Sequence, residues 1–212
     1  SSTNKALFDK ITHKELMNMR KHFAFDIDDT FTQSEKLYDV YLKEYLHTDN
    51  PLLIKDFYKL PWSEQKPFFA QYTEQMIPNY ELQENAYEVL KRLKKRDYTL
   101  SAISLRGHDI PVDEALTFDY LKKHNIPVDN IILRCKKKME ACKRIGASYM
   151  ADDSYWMIEQ FKGSGIRPLH FSEKVFDVED SEVITVSNWL EIEEYLMKEE
   201  EMNEHSKYYV KK

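Results

Sequence analysis

Glycine is scarce in this chain of 212 residues: four in all, at 107, 146, 163 and 165, with none among the first 106. A Walker loop or a dinucleotide fingerprint needs glycine where the backbone must approach phosphate, so both are missing from their usual N-terminal place. A protein of this composition that handles phosphate must do so with side chains and a metal. Cysteine is scarcer still. Cys135 and Cys142 lack a paired C-x-x-C pattern, and seven residues of helix would hold them too far apart to bridge, so both read as reduced thiols of a cytoplasmic protein. The seven histidines are scattered without metal-ligand spacing, which argues against zinc. No apolar run approaches the roughly 18–20 residues of a membrane span. The opening stretch "SSTNKALFDKITHKEL" has no secretory apolar segment, and residues 1 to 18, ahead of Met19, read as a leader or an ordinary N-terminal helix. Positive charge is also short. A net charge of −6 disfavours binding to nucleic acid or anionic membranes, but leaves room for a small anionic substrate in a locally positive pocket.

Hydrophobic residues at 42% supply a core, and charged residues at 32% a solvated surface, as expected for one domain or one domain with an insertion. "HFAF" followed by "DIDDT" reads as a short buried strand and its C-terminal edge. From Ser34 to about Arg96 the periodicity is helical. Tyr38, Tyr41, Leu42 and Tyr45 share one face, and Ser63 is placed to cap a helix carrying Phe68, Phe69, Tyr72 and Met76. Ala86, Val89, Leu90 and Leu93 repeat the spacing, and Pro51, Pro61, Pro67 and Pro78 divide the region into short helices. Beyond it, strands at "YTLSAIS", "NIILRC", "SYMA", "RPLHF" and "VITV" alternate with helices at 112–125, 138–146 and 154–162. A last helix from Ser187 carries Trp189, Ile192 and Leu196, and "KEEEMNEHSKYYVKK" reads as a solvated, fraying end. Such alternation implies parallel βαβ units: an α/β, Rossmann-like parallel sheet with helices on both faces. Residues 1–30 and 83–212 would form this core, and 31–82 a helical insertion after the first strand.

Ligands of open parallel sheets sit beyond the carboxyl ends of the strands. Two of the expected strands end there in carboxylate pairs, Asp26/Asp28 and Asp152/Asp153. Carboxylates at i and i+2 of an extended chain point to one side, and like charges so close raise each other's proton affinity unless a cation lies between them. A hard divalent ion with oxygen ligands, Mg²⁺, suits the crowd best.

At this point "DIDDT" resembles the D-x-D-x-T signature of the haloacid dehalogenase superfamily of phosphotransferases. Three further motifs follow in order: Ser104 ending a strand in "LSAISLRG", Lys138 near a helix start in "CKKKMEACKRIGA", and Asp152 and Asp153 in "YMADDS". Lys136, Lys137 and Lys143 compete with Lys138. A helical insertion between the first two motifs is similar to the C1 cap of the 5′(3′)-deoxyribonucleotidase group. The chain departs from the pattern at Asp29, where many members carry Gly, and at Arg106, which follows the second motif.

The resemblance implies a Mg²⁺-dependent phosphatase acting on a small phosphomonoester, such as a nucleotide, through an aspartyl-phosphate. Asp26 would be the nucleophile and Asp28 the general acid and base. Asp26, the Asp28 carbonyl and Asp152 would bind the metal, with Asp153 beside them. Ser104 and Lys138 would hold phosphoryl oxygens. Apart from the resemblance, Phe31 is placed by its position right after the first motif to face the leaving group, and Arg106 and His108 in "SLRGHD" are loop residues near the site, Arg106 as a substrate-binding candidate. Each residue has a plainer reading. The acids can cap helices, Ser104 can be a buried strand hydroxyl (with Ser101 as its rival for phosphate), and a lysine run is commonly a solvated face. Most of Phe57, Tyr58, Trp62, Phe68, Phe69 and Tyr72 belong in a helical core, although an exposed ring there would stack a base. Two other identities stay open: a protein that keeps the fold without turnover, and a relative of the polynucleotide 3′-phosphatase or phosphomutase type.

Overall fold

The computed structural model describes residues 21–174 and 182–209; the reading of residues 1 to 18 lies outside them. Strand β1 (His22–Phe25) is followed by α1 (Ser34–Tyr45), α2 (Pro51–Phe57), α3 (Trp62–Met76), a 3₁₀ turn (Ile77–Asn79) and α4 (Ala86–Lys95). Then come β2 (Thr99–Ile103), α5 (Val112–Lys123), β3 (Asn130–Ile132), α6 (Lys138–Ile145) and β4 (Tyr149–Asp152). The chain continues with α7 (Tyr155–Glu159), β5 (Arg167–Phe171), β6 (Ile184–Val186) and α8 (Trp189–Tyr209). The strands form one sheet in the order β3-β2-β1-β4-β5-β6, and every neighbouring pair is parallel. The α/β class read from the sequence holds.

Alternation along β1 divides the core. Phe23 and Phe25 point to one face, where Trp189 of α8 meets both rings edge-on at 6.0 and 5.5 Å. Ala24 points to the other, against Ile103, Cys142, Met150, Ile158 and Phe161. Residues of this kind, buried on both faces, give the near-continuous apolar runs of a parallel sheet. Among the described residues, no helix is long and apolar enough to cross a membrane.

Several local expectations change. Residue Ser63 does not cap α3: Pro61 occupies the N-cap, and Ser63 lies within the first turn. Pro67 does not break that helix but lies inside it. Nor does the charged tail fray where the sequence suggests, since α8 runs to Tyr209. Within it Glu200 meets Arg96, at the end of α4, at 2.6 Å and Lys21, just ahead of β1, at 3.7 Å, so α8 stays tied to the core beyond its apolar stripe.

The segment between β1 and α4 is fastened at its base. Thr32 and Leu82 form an antiparallel bridge, and Phe31 accepts a backbone bond from Gln83. Helices α1, α2 and α3 pack their own aromatic core of Tyr45, Phe57, Phe68 and Tyr72.

Candidate active site

Strand register builds the site. Phe25 of β1 pairs with Ala151 of β4, so the next residue on each strand, Asp26 and Asp152, emerge side by side. The Asp26 N–H donates to the Ala151 carbonyl at 2.9 Å and fixes this exit. In the observed order β1 leads to β2 on one side while β4 lies on the other, so the topological switch point falls between β1 and β4. Asp26, Asp152 and Asp153 each offer a carboxylate oxygen within 4.8 Å of the others. Lys138, in the first turn of α6, inserts its Nζ between two of them, 2.8 Å from Asp26 and 2.7 Å from Asp152. Its rivals Lys136, Lys137 and Lys143 are exposed, whereas Lys138 is buried. The other Asp152 oxygen accepts the Ser154 N–H at 2.9 Å, and the Ser154 hydroxyl caps α7.

Three acids around one ammonium leave an excess of negative charge. Burial, followed by the Asp152 charge, outweighs Lys138 and pushes the Asp26 carboxyl up to about 7. Asp153 is raised as well, by desolvation and then by Asp26 and Asp152, although its side chain reaches solvent and water screens part of the effect. Burial works against the charge on Lys138, but Asp26 and Asp152 outweigh it and raise its pKa. A cluster of hard oxygen donors short of positive charge fits a divalent ion such as Mg²⁺.

The loop after β1 folds tightly on the Ile27 carbonyl, which accepts from Thr30, Phe31 and Thr32. Asp29 adopts φ 56°, in the left-handed region open to glycine and tolerated by Asp. Its carboxylate accepts the Glu35 N–H at 2.8 Å and so caps α1. The departure at Asp29 therefore has a structural use. Thr30 donates its hydroxyl to Asp153 at 3.4 Å, while its carbonyl accepts the Trp189 indole N–H at 2.8 Å.

Asp28 goes elsewhere. Its carboxylate lies outside the three-acid group and accepts four side-chain donors: Arg106 Nε at 2.8 Å, Arg106 Nη2 at 2.6 Å, Ser34 Oγ at 2.6 Å and Tyr38 OH at 3.2 Å. Burial alone would raise its pKa, but Arg106, helped by these hydrogen bonds, holds it below the usual range. Ser104 is buried one residue past β2, and its Oγ accepts the Arg106 N–H at 3.2 Å. Its rival Ser101 lies within β2, bonded to His22 at 2.6 Å and Asn130 at 3.0 Å, and is not part of the site.

Beside this carboxylate opens a cavity of about 440 Å³ lined by Asp28, Arg106, Tyr38, Trp62, Phe69 and the loop 105–110 with Asp113. Of the six aromatic residues considered for stacking, Phe57, Phe68 and Tyr72 are buried in the helical core, Tyr58 donates its hydroxyl to Asp39 at 2.6 Å, and Trp62 and Phe69 face the cavity. Their rings lie 5.5 Å apart, and Tyr38 meets Phe69 edge-on at 5.0 Å. His108 lines the same space and pairs with Asp109 at 3.0 Å. Phe31 does not face a leaving group. It is fully buried against Phe25 and Trp189, and the expectation of substrate contact is withdrawn. Tyr38 and Ser34 carried no site expectation from the sequence; their place just after the D-x-D-x-T stretch was the one hint, whereas Thr30 is the Thr of that stretch itself.

No protein-family model and no curated protein matches the sequence. Solved structures do match in shape. A haloacid dehalogenase-like family protein of Streptococcus pneumoniae superposes with a TM-score of 0.60 at 14% identity, covering 84% of this chain and 98% of its own. A haloacid dehalogenase-superfamily hydrolase of Ehrlichia chaffeensis gives 0.55 at 15% identity, over 84% and 97%. CbbY of Rhodobacter sphaeroides, solved in complex with phosphate, gives 0.55 at 12% identity, over 81% and 96%. At such identities the likeness is one of architecture, and the chain has the fold of the haloacid dehalogenase hydrolases.

Proposed function

We propose that the protein is a Mg²⁺-dependent phosphatase that hydrolyses a small phosphomonoester through an aspartyl-phosphate on Asp26. The observation that carries this reading is the meeting of Asp26, Asp152, Asp153 and Lys138 at the switch point of the sheet. Asp26, Asp152 and the Asp28 carbonyl would hold the metal, with Asp153 beside them. When bound, Mg²⁺ supplies positive charge to the phosphoryl oxygens.

This chain's own groups then divide the work. An Asp26 oxygen attacks phosphorus as the bond to the leaving oxygen breaks, and that oxygen takes the proton that Asp28 gained from water in the preceding turnover, a proton the Arg106 contact makes easy to give up. In the second step water attacks phosphorus, Asp28 takes its proton and the Asp26 carboxylate departs. Lys138 and Ser104 hold the phosphoryl oxygens, and burial of Lys138 makes its charge count for more than it would in water. The leaving group occupies the aromatic cavity, beside the Asp28 carboxylate.

Residues 31–82 act as a cap of the C1 type, shielding the reaction and limiting substrate size. A nucleoside monophosphate heads the substrates to be tested, because Trp62 and Phe69 offer rings to a base. The net charge of −6 speaks against a nucleic acid or membrane partner, and the two free cysteines accord with a cytoplasmic setting. The test is phosphate release from nucleotides, sugar phosphates and an aryl phosphate, with and without Mg²⁺, for the parent protein and Asp26→Asn. Turnover lost in chelator and in the variant is expected. Full activity in Asp26→Asn would refute the mechanism, and inactivity of the parent on every substrate would favour a fold kept without turnover.

A further inference from the structure

Arg106 stands in the cavity as the obvious anion receptor, yet its contacts point another way. Its Nε and Nη2 both go to Asp28, and its Nη1 donates to Thr117 of α5 at 3.2 Å. The guanidinium lies 5.0 Å from the centre of the Tyr80 ring and is almost wholly buried. A side chain fixed at both ends and covered on one face is built to hold something still. What it holds is the carboxylate that the catalytic reading needs at the leaving group. The two oxygens of Asp28 are turned from the three-acid group toward the cavity wall, and Ser34 and Tyr38 of α1 complete the clamp.

We infer that Arg106 is a positioning residue for Asp28, holding its carboxylate at the leaving-group cavity, and that it does not serve as a receptor for a second anion on the substrate. The inference rests on the phosphatase reading above and adds a substrate class to it. Asp28, Asp109 and Asp113 all line the cavity, against Arg106 and His108. A leaving group bearing a second phosphate or a carboxylate would meet more negative charge than positive, and an arginine already engaged. The favoured substrates are phosphomonoesters of uncharged alcohols.

The clamp matters most where Asp28 must receive a proton. In the second step the water O–H bond breaks toward Asp28 as the new O–P bond forms and the P–O bond to Asp26 is released. A displaced Asp28 leaves that step without its base. With p-nitrophenyl phosphate, whose leaving oxygen needs no proton, the first step survives the loss and the phosphoenzyme accumulates.

The experiment compares the parent, Arg106→Ala, Arg106→Lys and Thr117→Val on p-nitrophenyl phosphate, a nucleoside 5′-monophosphate and a sugar bisphosphate. Thermal unfolding of each variant establishes that it is folded. Arg106→Ala is expected to lower kcat on the nucleotide by about 10²-fold or more. On p-nitrophenyl phosphate it should show a burst near one equivalent of nitrophenolate before a slow steady state. Arg106→Lys should recover part of the rate. Thr117→Val, which loosens the guanidinium but keeps its charge, should lose less in the same direction. The parent should turn over the bisphosphate poorly. Folded Arg106 variants that lose no rate, or lose it equally on the aryl and alkyl esters with no burst, would overturn the inference. So would a parent that prefers the bisphosphate, with a KM that rises in Arg106→Ala while kcat holds. A parent inactive on all three substrates would remove the phosphatase reading itself, and this inference with it.

Discussion

The raised pKa of Asp26 makes the metal site visible in stability measurements, without any assay of turnover. In the unfolded chain an Asp ionises near 3.9; in the folded protein, burial and the Asp152 charge move Asp26 up to about 7. The folded state therefore resists losing this proton, and the Asp26 contribution to stability falls as pH rises from about 4 to about 7; Asp153, pushed up to about 9, carries the fall further. Only 8% of the residue is exposed, so solvent does little to soften the effect. With roughly 1.4 kcal/mol per pK unit, Asp26 alone removes on the order of 2–3 kcal/mol between pH 5 and pH 8. For a chain of this length that is a fall in Tm of about 5–10 °C. A divalent cation reverses the sign, because it binds the ionised carboxylates and adds about 2.7 kcal/mol at a hundred times its Kd. The expected result is a Tm difference between excess Mg²⁺ and chelator that is small at pH 5 and widens toward pH 8, read by circular dichroism. Asp29 is also pushed up to about 7, by burial first, and tilts the baseline the same way. It is not one of the three clustered acids, so Asp29→Asn should flatten that baseline and leave the Mg²⁺-dependent difference intact. Asp152→Asn should abolish the difference. An equal difference at pH 5 and pH 8 in the parent would refute the reasoning, since the ion would then not be competing with protons for these carboxylates.

Three substitutions test neighbouring parts. Lys138→Met strips the ammonium from between Asp26 and Asp152 and should lower stability by about 3–5 kcal/mol in chelator, measured by urea denaturation, with Mg²⁺ restoring part of it. Trp62→Ala removes a ring that is 44% exposed in the cavity; it should change stability little, and raise KM for a nucleoside monophosphate about tenfold while leaving glycerol phosphate unaffected. Phe31→Ala should cost about 3–5 kcal/mol of stability through the void left between Phe25 and Trp189, with KM unchanged in the protein that stays folded.

The elements nearest the chemistry were legible because local pattern and local structure coincide there. "HFAF" is buried at all four positions, and a run of that kind ending in acids can hardly be anything but an inner strand and its edge. Gly146 ends α6 with φ 75°, as a helix followed by glycine suggests. The ordered motifs suggested that Asp26 and Asp152 converge, but that β1 and β4 adjoin is a non-consecutive pairing that the chain order alone does not give. Lys138 was harder. Three consecutive lysines present the same local pattern, and what separates them is the direction in which the first turn of α6 projects each one. Only the packed structure decides that Lys138 goes inward.

The two site readings that failed, at Phe31 and at the side of Asp28, share a cause: each depended on a partner far along the chain. Phe31 follows the first motif directly, and proximity in sequence suggested proximity to substrate. Its actual neighbour is Trp189, 158 residues later, whose indole also bonds the Thr30 carbonyl and pulls this turn into the core. Asp28 was expected beside Asp26 because alternate residues of an extended chain share a side. The chain is no longer extended there. Once Ile27 collects three backbone N–H groups and Asp29 turns left-handed, the alternation that holds through Phe25 ends. Asp28 is then free to meet Arg106, 78 residues away, together with Ser34 and Tyr38 from the helix that follows. The same turn therefore separates the two acids of the D-x-D pair into different jobs. One stays in the carboxylate cluster at the sheet edge, and the other reaches the cavity where a leaving group would lie. A motif with Gly in place of Asp29 could make the same bend, but it would lack the carboxylate that caps α1 and ties the start of the insertion to the turn. In this chain the bend, the cap helix and the placement of Asp28 are thus one mechanical unit, and a substitution at any of the three should be felt at the other two.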